Sequence, residues 1–379
     1  MKYYIISGEA SGDLHGSNLM RALFERQPDA QIRFWGGDRM AEVATEHGAN
    51  AVQVRHIRDL AFMGFFEVLS HIKTIFGNIS FCKKDITEFN PDAVVFIDYP
   101  GFNLKIAKYT HKLGLRNVYY ISPQIWAWKK NRIRPMRRDL DKLCYILPSE
   151  RKFYAENTFP QAVYVGHPLL DEIAHFKEEK AALQPLASAP RLVALLPGSR
   201  KQELKRMLPL MMQLAAKHPE CRFSVAGMTL IGEEYYRKFI PAGISNVDIR
   251  FDGTYQLLSE VESAVVCSGT ATLETALFRV PQVVCYQCNR LSAAIARVLI
   301  GNKIKYISLV NLIADRPVVR ELIQGQFNLK TLDSEFCSIT SNDERRSAIM
   351  AEYDRLIAIL GGPGASARTA DEITSIVKQ

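Results

Sequence analysis

Short runs of apolar residues, each bounded by Gly, Pro, Asp or Ser, recur in the first half of the chain at positions 3–7, 32–35, 93–98, 117–121 and 143–147. Between several of them the apolar positions change to helical spacing. Strand and helix patterns that alternate in this way predict a parallel sheet flanked by helices. The same grammar restarts at 192–196 and continues through 222–226, 248–251, 264–267 and 282–286. The expected architecture is α/β, with two Rossmann-like parallel-sheet domains. Between the halves, Gly166-His-Pro-Leu-Leu-Asp and a stretch at 177–190 rich in Lys, Glu, Ala and Pro interrupt the pattern, which has the character of an inter-domain connection. Domains are therefore expected at 1–168 and 169–350, followed by a helical extension at 351–379. Its last helix, at 365–378, is free to dock on either domain, the N-terminal one included.

Composition narrows the partners without choosing one. With 379 residues, 47% hydrophobic and 23% charged, the chain is long enough for two cores and no segment reads as disordered. The formal charge of +8 favours anionic partners: nucleic acid, anionic lipid or phosphorylated small molecules. Seven scattered cysteines do not form a disulfide framework. Cys285 and Cys288 make a C-x-x-C, but no second pair stands at zinc spacing, so they read as structural thiols. The first residues give a short apolar run and then a turn, which predicts neither a signal peptide nor a spanning helix, and hence a cytoplasmic protein.

Ligands of open parallel sheets collect beyond the carboxyl ends of the strands, where helix N-termini favour anions. Four turns qualify: one begins at Ser7, one at Asp98, and the others are Pro197-Gly198-Ser199-Arg200 and Ser268-Gly269-Thr270. The third offers backbone N–H groups, a hydroxyl and a guanidinium whose fork suits phosphate oxygens. A capped helix start with Arg200 in a surface ion pair is its other reading. The Ser268 turn adds a second anion-favouring helix start, and Glu274, one helical turn further on, is suited to ribose hydroxyls or else is a plain helix-face carboxylate. Gly8, Gly12 and Gly16 stand four apart, and no Walker lysine follows a glycine-rich loop, which argues against dehydrogenases and kinases. No spaced His, Asp or Glu cluster is present, so no metal and no cofactor is expected.

Taken in order, Ser7-Gly-Glu-Ala-Ser-Gly-Asp, Leu60-Ala-Phe-Met-Gly-Phe-Phe-Glu-Val-Leu, Ile97-Asp-Tyr-Pro-Gly-Phe-Asn, Ser122-Pro-Gln-Ile-Trp-Ala-Trp, Gly166-His-Pro-Leu, Leu196-Pro-Gly-Ser-Arg, Ser268-Gly-Thr-Ala-Thr-Leu-Glu and Ser308-Leu-Val-Asn-Leu-Ile carry a resemblance. The chain resembles the bacterial lipid-A-disaccharide synthase family of GT-B glycosyltransferases along essentially its whole length. The resemblance implies coupling of UDP-2,3-diacylglucosamine to 2,3-diacylglucosamine 1-phosphate, with a β-1,6 disaccharide phosphate and UDP as products. It further implies a cytoplasmic protein held peripherally at the inner membrane, with an anionic membrane surface as partner and no nucleic acid; a homodimer is left open. Val310 and Arg320 stand where the family pattern commonly has proline, which bears on the loop around Asn311 and on the nucleotide contact implied there.

If the reaction inverts, one group must take the acceptor proton while the departing UDP is stabilised. Asp98, at the end of an apolar strand, is the expected base, and the resemblance points to it as well. Asp13 and His15 are rivals, although Asp13 is better suited to holding the first turn by local hydrogen bonds. Ser11, Gly12 and Asn103 are acceptor-side candidates; a helix N-cap explains Asn103 as well. Trp126, Trp128 and Arg132, with the basic run Lys129, Lys130, Arg134, Arg137 and Arg138, suit a lipid phosphate or an anionic surface, or form a solvated basic face. Phe62, Met63, Phe65, Phe66, Leu69 and Ile72 begin an apolar stripe through Ile75, Phe76 and Ile79, read as an acyl-chain or membrane surface against ordinary core. A UDP-sugar 2-epimerase is the competing enzyme class, and a non-enzymatic membrane-binding protein the competing non-enzyme.

Overall fold

The computed structural model describes residues 1–60, 72–125, 130–181, 191–288 and 305–377. The chain divides into two compact units, Met1–Asp171 with Pro363–Gln379, and Glu172–Gly362. Unit 1 holds a seven-stranded sheet in the order β3-β2-β1-β4-β5-β6-β7, every pairing parallel. Its strands are β1 (Lys2–Ser7), β2 (Gln31–Gly36), β3 (Ala51–His56), β4 (Ala93–Ile97), β5 (Arg116–Tyr120), β6 (Lys142–Tyr145) and β7 (Ala162–Tyr164). Unit 2 holds six parallel strands in the order β10-β9-β8-β11-β12-β13. These are β8 (Leu192–Leu196), β9 (Arg222–Gly227), β10 (Val247–Phe251), β11 (Ser263–Cys267), β12 (Gln282–Tyr286) and β13 (Arg320–Ile323).

Why the central strands read as unbroken apolar runs is visible in β1. Tyr3 and Ile5 pack with the helices Ala10–Arg26 and Ala365–Val377 on one face, whereas Tyr4 and Ile6 pack with Ile79, Ile86, Phe102 and Ile106 on the other. A strand covered on both faces has no polar side to alternate with. Three strands escape the sequence pattern: β3, β7 and β13, all at sheet edges and only partly buried. An edge strand is covered less completely, so its sequence carries less of the apolar signature.

The final helix joins the core of unit 1 through Ala370, Ile373 and Ile376. Asp171 caps it, taking the N–H groups of Gly364, Ala365 (3.1 Å) and Ser366 (3.0 Å). Ion pairs of Asp371 with Arg26 and Glu372 with Lys142 add anchors at 2.5 and 2.6 Å. In each sheet the direction of winding reverses between two neighbouring strands: β1 and β4 in unit 1, β8 and β11 in unit 2. The loops leaving these pairs diverge to opposite faces and open a crevice at the carboxyl ends. All four turns singled out from the sequence leave these four strands.

Candidate active site

In unit 2 the two turns line one pocket of about 390 Å³, with Pro197, Gly198, Ser199, Arg200 and Glu203 on one side and Ser268, Gly269, Thr270 and Glu274 on the other. Ser199, Arg200, Gly269 and Thr270 are exposed, so polar groups from two helix starts face solvent there. The Arg200 guanidinium stays 3.9 Å from Glu203, a loose pairing that leaves it available to an anion. One expectation needs correction. The N–H groups of Ser199 and Arg200 are not open, because the Glu203 carboxylate accepts both, at 2.9 and 3.2 Å. Glu203 folds over Gly198, whose φ of +102° suits glycine and whose missing side chain leaves the carboxylate its room. The Arg200-x-x-Glu203 spacing, that of a capping box, was the sequence signal for this contact.

Glu274 accepts a hydrogen bond from Tyr255 Oη at 3.0 Å on the pocket wall, and burial raises its carboxyl. Ser268 Oγ donates to the Ile307 carbonyl at 2.8 Å, so this hydroxyl braces the turn. Asn311, read from the sequence as a nucleotide contact, is 1% exposed and fully engaged. Its amide donates to Val319 O and Glu321 Oε1 and accepts from Val319 N, all at 2.9 Å. Asn311 therefore ties the Leu309–Ala314 helix to β13 and has no amide group left over for a nucleotide.

In unit 1 the turn after β4 is strained. Asp98 and Tyr99 are consecutive non-glycine residues in the left-handed region, with φ of +44° and +49°. Such conformations cost roughly 1–2 kcal/mol per residue and persist where surrounding contacts impose them. Here Asp98 N–H donates to Tyr120 O at 3.1 Å, while its carbonyl accepts from Tyr119 Oη at 2.5 Å and Asn103 Nδ2 at 2.8 Å. The Tyr99 ring lies where a side chain on Gly8 would have to go, so the glycine serves close packing of the two turns. Burial, with the nearby negative charge of Glu9, pushes the Asp98 carboxyl up to about 6, against a weaker lowering by the Tyr99 N–H. Two carboxylates thus meet at this switch point. Sequence reasoning quoted Glu9 within its motif and assigned it nothing.

The other unit 1 candidates are mostly structural. Asp13 is buried, and its carboxylate takes the N–H groups of Gly37 (2.6 Å), Arg39 (3.1 Å) and Met40 (3.1 Å), capping the helix Asp38–His47. This overturns Asp13 as a base. Burial lowers His15 to about 4, partly opposed by Asp171, which leaves it a weak base. Asn103 is wholly buried, and its nitrogen is directed at the carbonyls of Ile6, Ile97 and Asp98, so it braces the turn instead of meeting an acceptor hydroxyl. Gly12 packs on Ser7 Oγ, whereas Ser11 is exposed.

Arg132 is half-buried and near enough to Tyr119 to act on its hydroxyl. The basic run is not uniformly free: Arg138 pairs with Asp139 at 2.6 Å and Arg137 donates to the carbonyls of Asn157 and Thr158, while Lys130 and Arg134 remain exposed. The apolar stripe divides, with Ile79 buried, Ile75 packed on the core and Phe76 59% exposed. Trp126, Trp128, Lys129, Phe62, Met63, Phe65, Phe66 and Leu69, with the side chain of Ile72, lie outside the described residues.

Three comparisons bear on this geometry. A family model described as lipid-A-disaccharide synthetase matches residues 3–371. The lipid-A-disaccharide synthase of Syntrophus aciditrophicus (strain SB) is 37% identical over 382 residues, covering 99% of this chain and 97% of its own. Among solved structures, the UDP-GlcNAc 2-epimerase of Neisseria meningitidis bound to UDP-GlcNAc superposes with a TM-score of 0.67 at 11% identity, covering both chains fully. The glycotransferase of kitacinnamycin does so at 0.66 and 14%, covering 99% of each. Both share the two-sheet GT-B fold with this chain.

Proposed function

We propose, from the premise that this chain belongs to the lipid-A-disaccharide synthetase family, that it transfers 2,3-diacylglucosamine from UDP to the 6-hydroxyl of 2,3-diacylglucosamine 1-phosphate. The product is the β-1,6-linked disaccharide 1-phosphate of lipid A biosynthesis, and UDP is released. The observation that carries this reading is that four of the family's ordered motifs, those beginning at Ser7, Ile97, Leu196 and Ser268, fall on the carboxyl ends of the two switch-point strand pairs.

Asp98 takes the acceptor proton as the hydroxyl oxygen bonds to the anomeric carbon. A carboxyl lifted to about 6 is ionised at neutral pH, yet holds a proton better than an ordinary aspartate. The bond from that carbon to the diphosphate oxygen breaks in the same displacement, which inverts the centre. Arg200 and the helix starts at Lys201 and Thr270 stabilise the charge gathering on UDP. Glu274 receives ribose hydroxyls from the pocket wall. Exposed Phe76, Lys130 and Arg134 suit contact with lipid and an anionic membrane surface; no described helix is long and apolar enough to cross a membrane.

Incubation with both diacylated substrates, reading disaccharide and UDP together, is expected to give them in equal amounts. Disaccharide absent while UDP-sugar alone yields a free 2-epimerised sugar would overturn the transferase in favour of the epimerase. Sedimentation with anionic against neutral vesicles tests the surface contact, and equal binding to both removes it.

A further inference from the structure

At the amino end of the unit 2 sheet, away from the turns that serve the proposed reaction, three side chains of different donor type converge. His218 follows the helix Lys201–Lys217 in the turn that leads into β9. Asp333 and Cys337 stand four residues apart on the helix Leu329–Ser341, and so on one face of it. A ring nitrogen of His218, a carboxylate oxygen of Asp333 and the Cys337 sulfur all lie within 4.8 Å of one another. His218 and Asp333 are 115 positions apart in the chain, so no ligand spacing along the sequence announces the group.

The geometry is held from outside the group. His218 Nε2 meets Asp333 Oδ1 at 2.8 Å, while its other nitrogen, Nδ1, lies 3.0 Å from Glu220 Oε1. Phe336 packs against the imidazole edge-on at 4.9 Å between centroids, and Phe223 of β9 lies against Phe336 in turn. The second oxygen of Asp333, Oδ2, is held by Lys217 Nζ at 2.5 Å, which leaves Oδ1 turned toward the histidine. A carboxylate on the far nitrogen is the usual device that fixes the tautomer and orientation of a ligating imidazole. The side chains of His218 and Asp333 are 13% and 18% exposed, and Cys337 is half-buried, so an ion can reach the group from solvent. A simple His–Asp ion pair accounts for the first contact; it does not account for a sulfur converging on the same point.

We propose that His218, Asp333 and Cys337 bind a thiophilic divalent cation of the Zn²⁺ class, with water as fourth ligand and Glu220 orienting the imidazole. A donor set of nitrogen, oxygen and sulfur suits Zn²⁺, whereas Mg²⁺ and Ca²⁺ take oxygen ligands. Bonds of about 2.0–2.3 Å place the donors of a tetrahedral ion roughly 3–4 Å apart. The ion therefore enters between Nε2 and Oδ1, in place of the proton there, and draws Sγ inward as the thiol gives up its own proton; no electron is transferred. Asp333 and the Cys337 thiolate neutralise the ion, and Lys217 offsets Glu220. The bound ion clips the turn before β9 to the helix Leu329–Ser341, a structural role independent of the proposed transfer.

The test uses the full chain freed of metal by chelation. Zn²⁺ is titrated by calorimetry and Co²⁺ by absorbance, in wild type, Cys337→Ser, His218→Ala, Glu220→Gln and Cys221→Ser, the last because Cys221 Sγ lies 3.9 Å from Glu220 Oε1. Wild type and Cys221→Ser are expected to bind one Zn²⁺ per chain, to melt higher with it and to show a thiolate-to-Co²⁺ charge-transfer band. Glu220→Gln is expected to weaken binding roughly ten- to hundredfold, as removal of an outer carboxylate does. Cys337→Ser and His218→Ala are expected to weaken it more, and Cys337→Ser to lose the band. Absence of Zn²⁺ binding in wild type, a Cys337→Ser protein with wild-type affinity and band, or loss of the band in Cys221→Ser instead, overturns the proposal. Should His218→Ala not fold, Cys337→Ser decides. No substrate enters the measurement, so failure of the transferase reading and failure of the metal site are read separately.

Discussion

The two switch points share a strand arrangement and oppose each other in chemistry. At β1 and β4 the turns are packed tightly enough to hold two left-handed residues, and they bring acids together: Asp98 half-buried, Glu9 near it. At β8 and β11 the turns are open and polar, with Arg200, Gly269 and Thr270 exposed and one carboxylate, Glu203, folded back on the backbone. A crowded, poorly solvated acid has a raised proton affinity, as a base requires. Exposed donors at helix starts favour an incoming anion. The same strand arrangement is thus given two different characters by changing burial and charge at equivalent places.

The comparison breaks most readily at Asp98. Asp98→Asn is expected to cut turnover about 10²–10⁴-fold, the range for losing a general base, while UDP binding stays within twofold; a turnover near wild type would remove the base from this turn. Stability should move the other way. Because the folded carboxyl is raised from 3.8 to about 6, its contribution is present below the unfolded value and is lost as pH rises through 6. Asp98→Asn is therefore expected to melt higher than wild type at pH 8, by an amount on the order of 2 kcal/mol, and to match it near pH 3. The wild-type kcat/KM should rise through about pH 6 as Asp98 ionises, and a profile flat from pH 5 to 7 would contradict the assignment.

Arg200→Ala comes next and probes the other switch point. Losing a charge-assisted contact to phosphate costs about 1.5–3 kcal/mol, so UDP affinity is expected to fall roughly ten- to hundredfold by calorimetry. Unchanged affinity would show the exposed guanidinium to be a surface group. Smallest on binding is Asn311→Ala. It takes their Asn311 partner from the N–H and carbonyl of buried Val319, while Glu321 keeps the N–H groups of Ile307 and Ser308, so thermal stability is expected to drop by about 1–3 kcal/mol, with UDP affinity within twofold. A tenfold loss of affinity without loss of stability would restore Asn311 to the nucleotide site.

Legibility in the sequence followed burial. Strands covered on both faces declared themselves, as at residues 3–7 and 192–196, while the edge strands β3, β7 and β13 did not. The turns were located correctly because Gly, Pro, Ser and Asp mark strand ends by their own backbone chemistry. What each turn's side chains bond to was much less readable. Asp13 and Asn311 looked like site residues because a short polar side chain beside a turn suits a cap and a ligand equally well, and the choice depends on which N–H groups come within reach. For Asp13 those groups lie 24 to 27 positions further along the chain.

The sequence by itself determined the alternation of strands and helices, the two α/β halves, the positions of the phosphate-favouring turns and, through its ordered motifs, the family. These follow from local periodicity and local backbone preference. Only the tertiary structure decided that Glu203 covers the N–H groups of Ser199 and Arg200, that Asn103 and Tyr119 brace a strained Asp98, and that burial, with Glu9 nearby, raises its carboxyl. Proton affinity and hydrogen-bond partnership depend on solvent exclusion and on distances across the fold, neither of which is written in the spacing of residues along the chain.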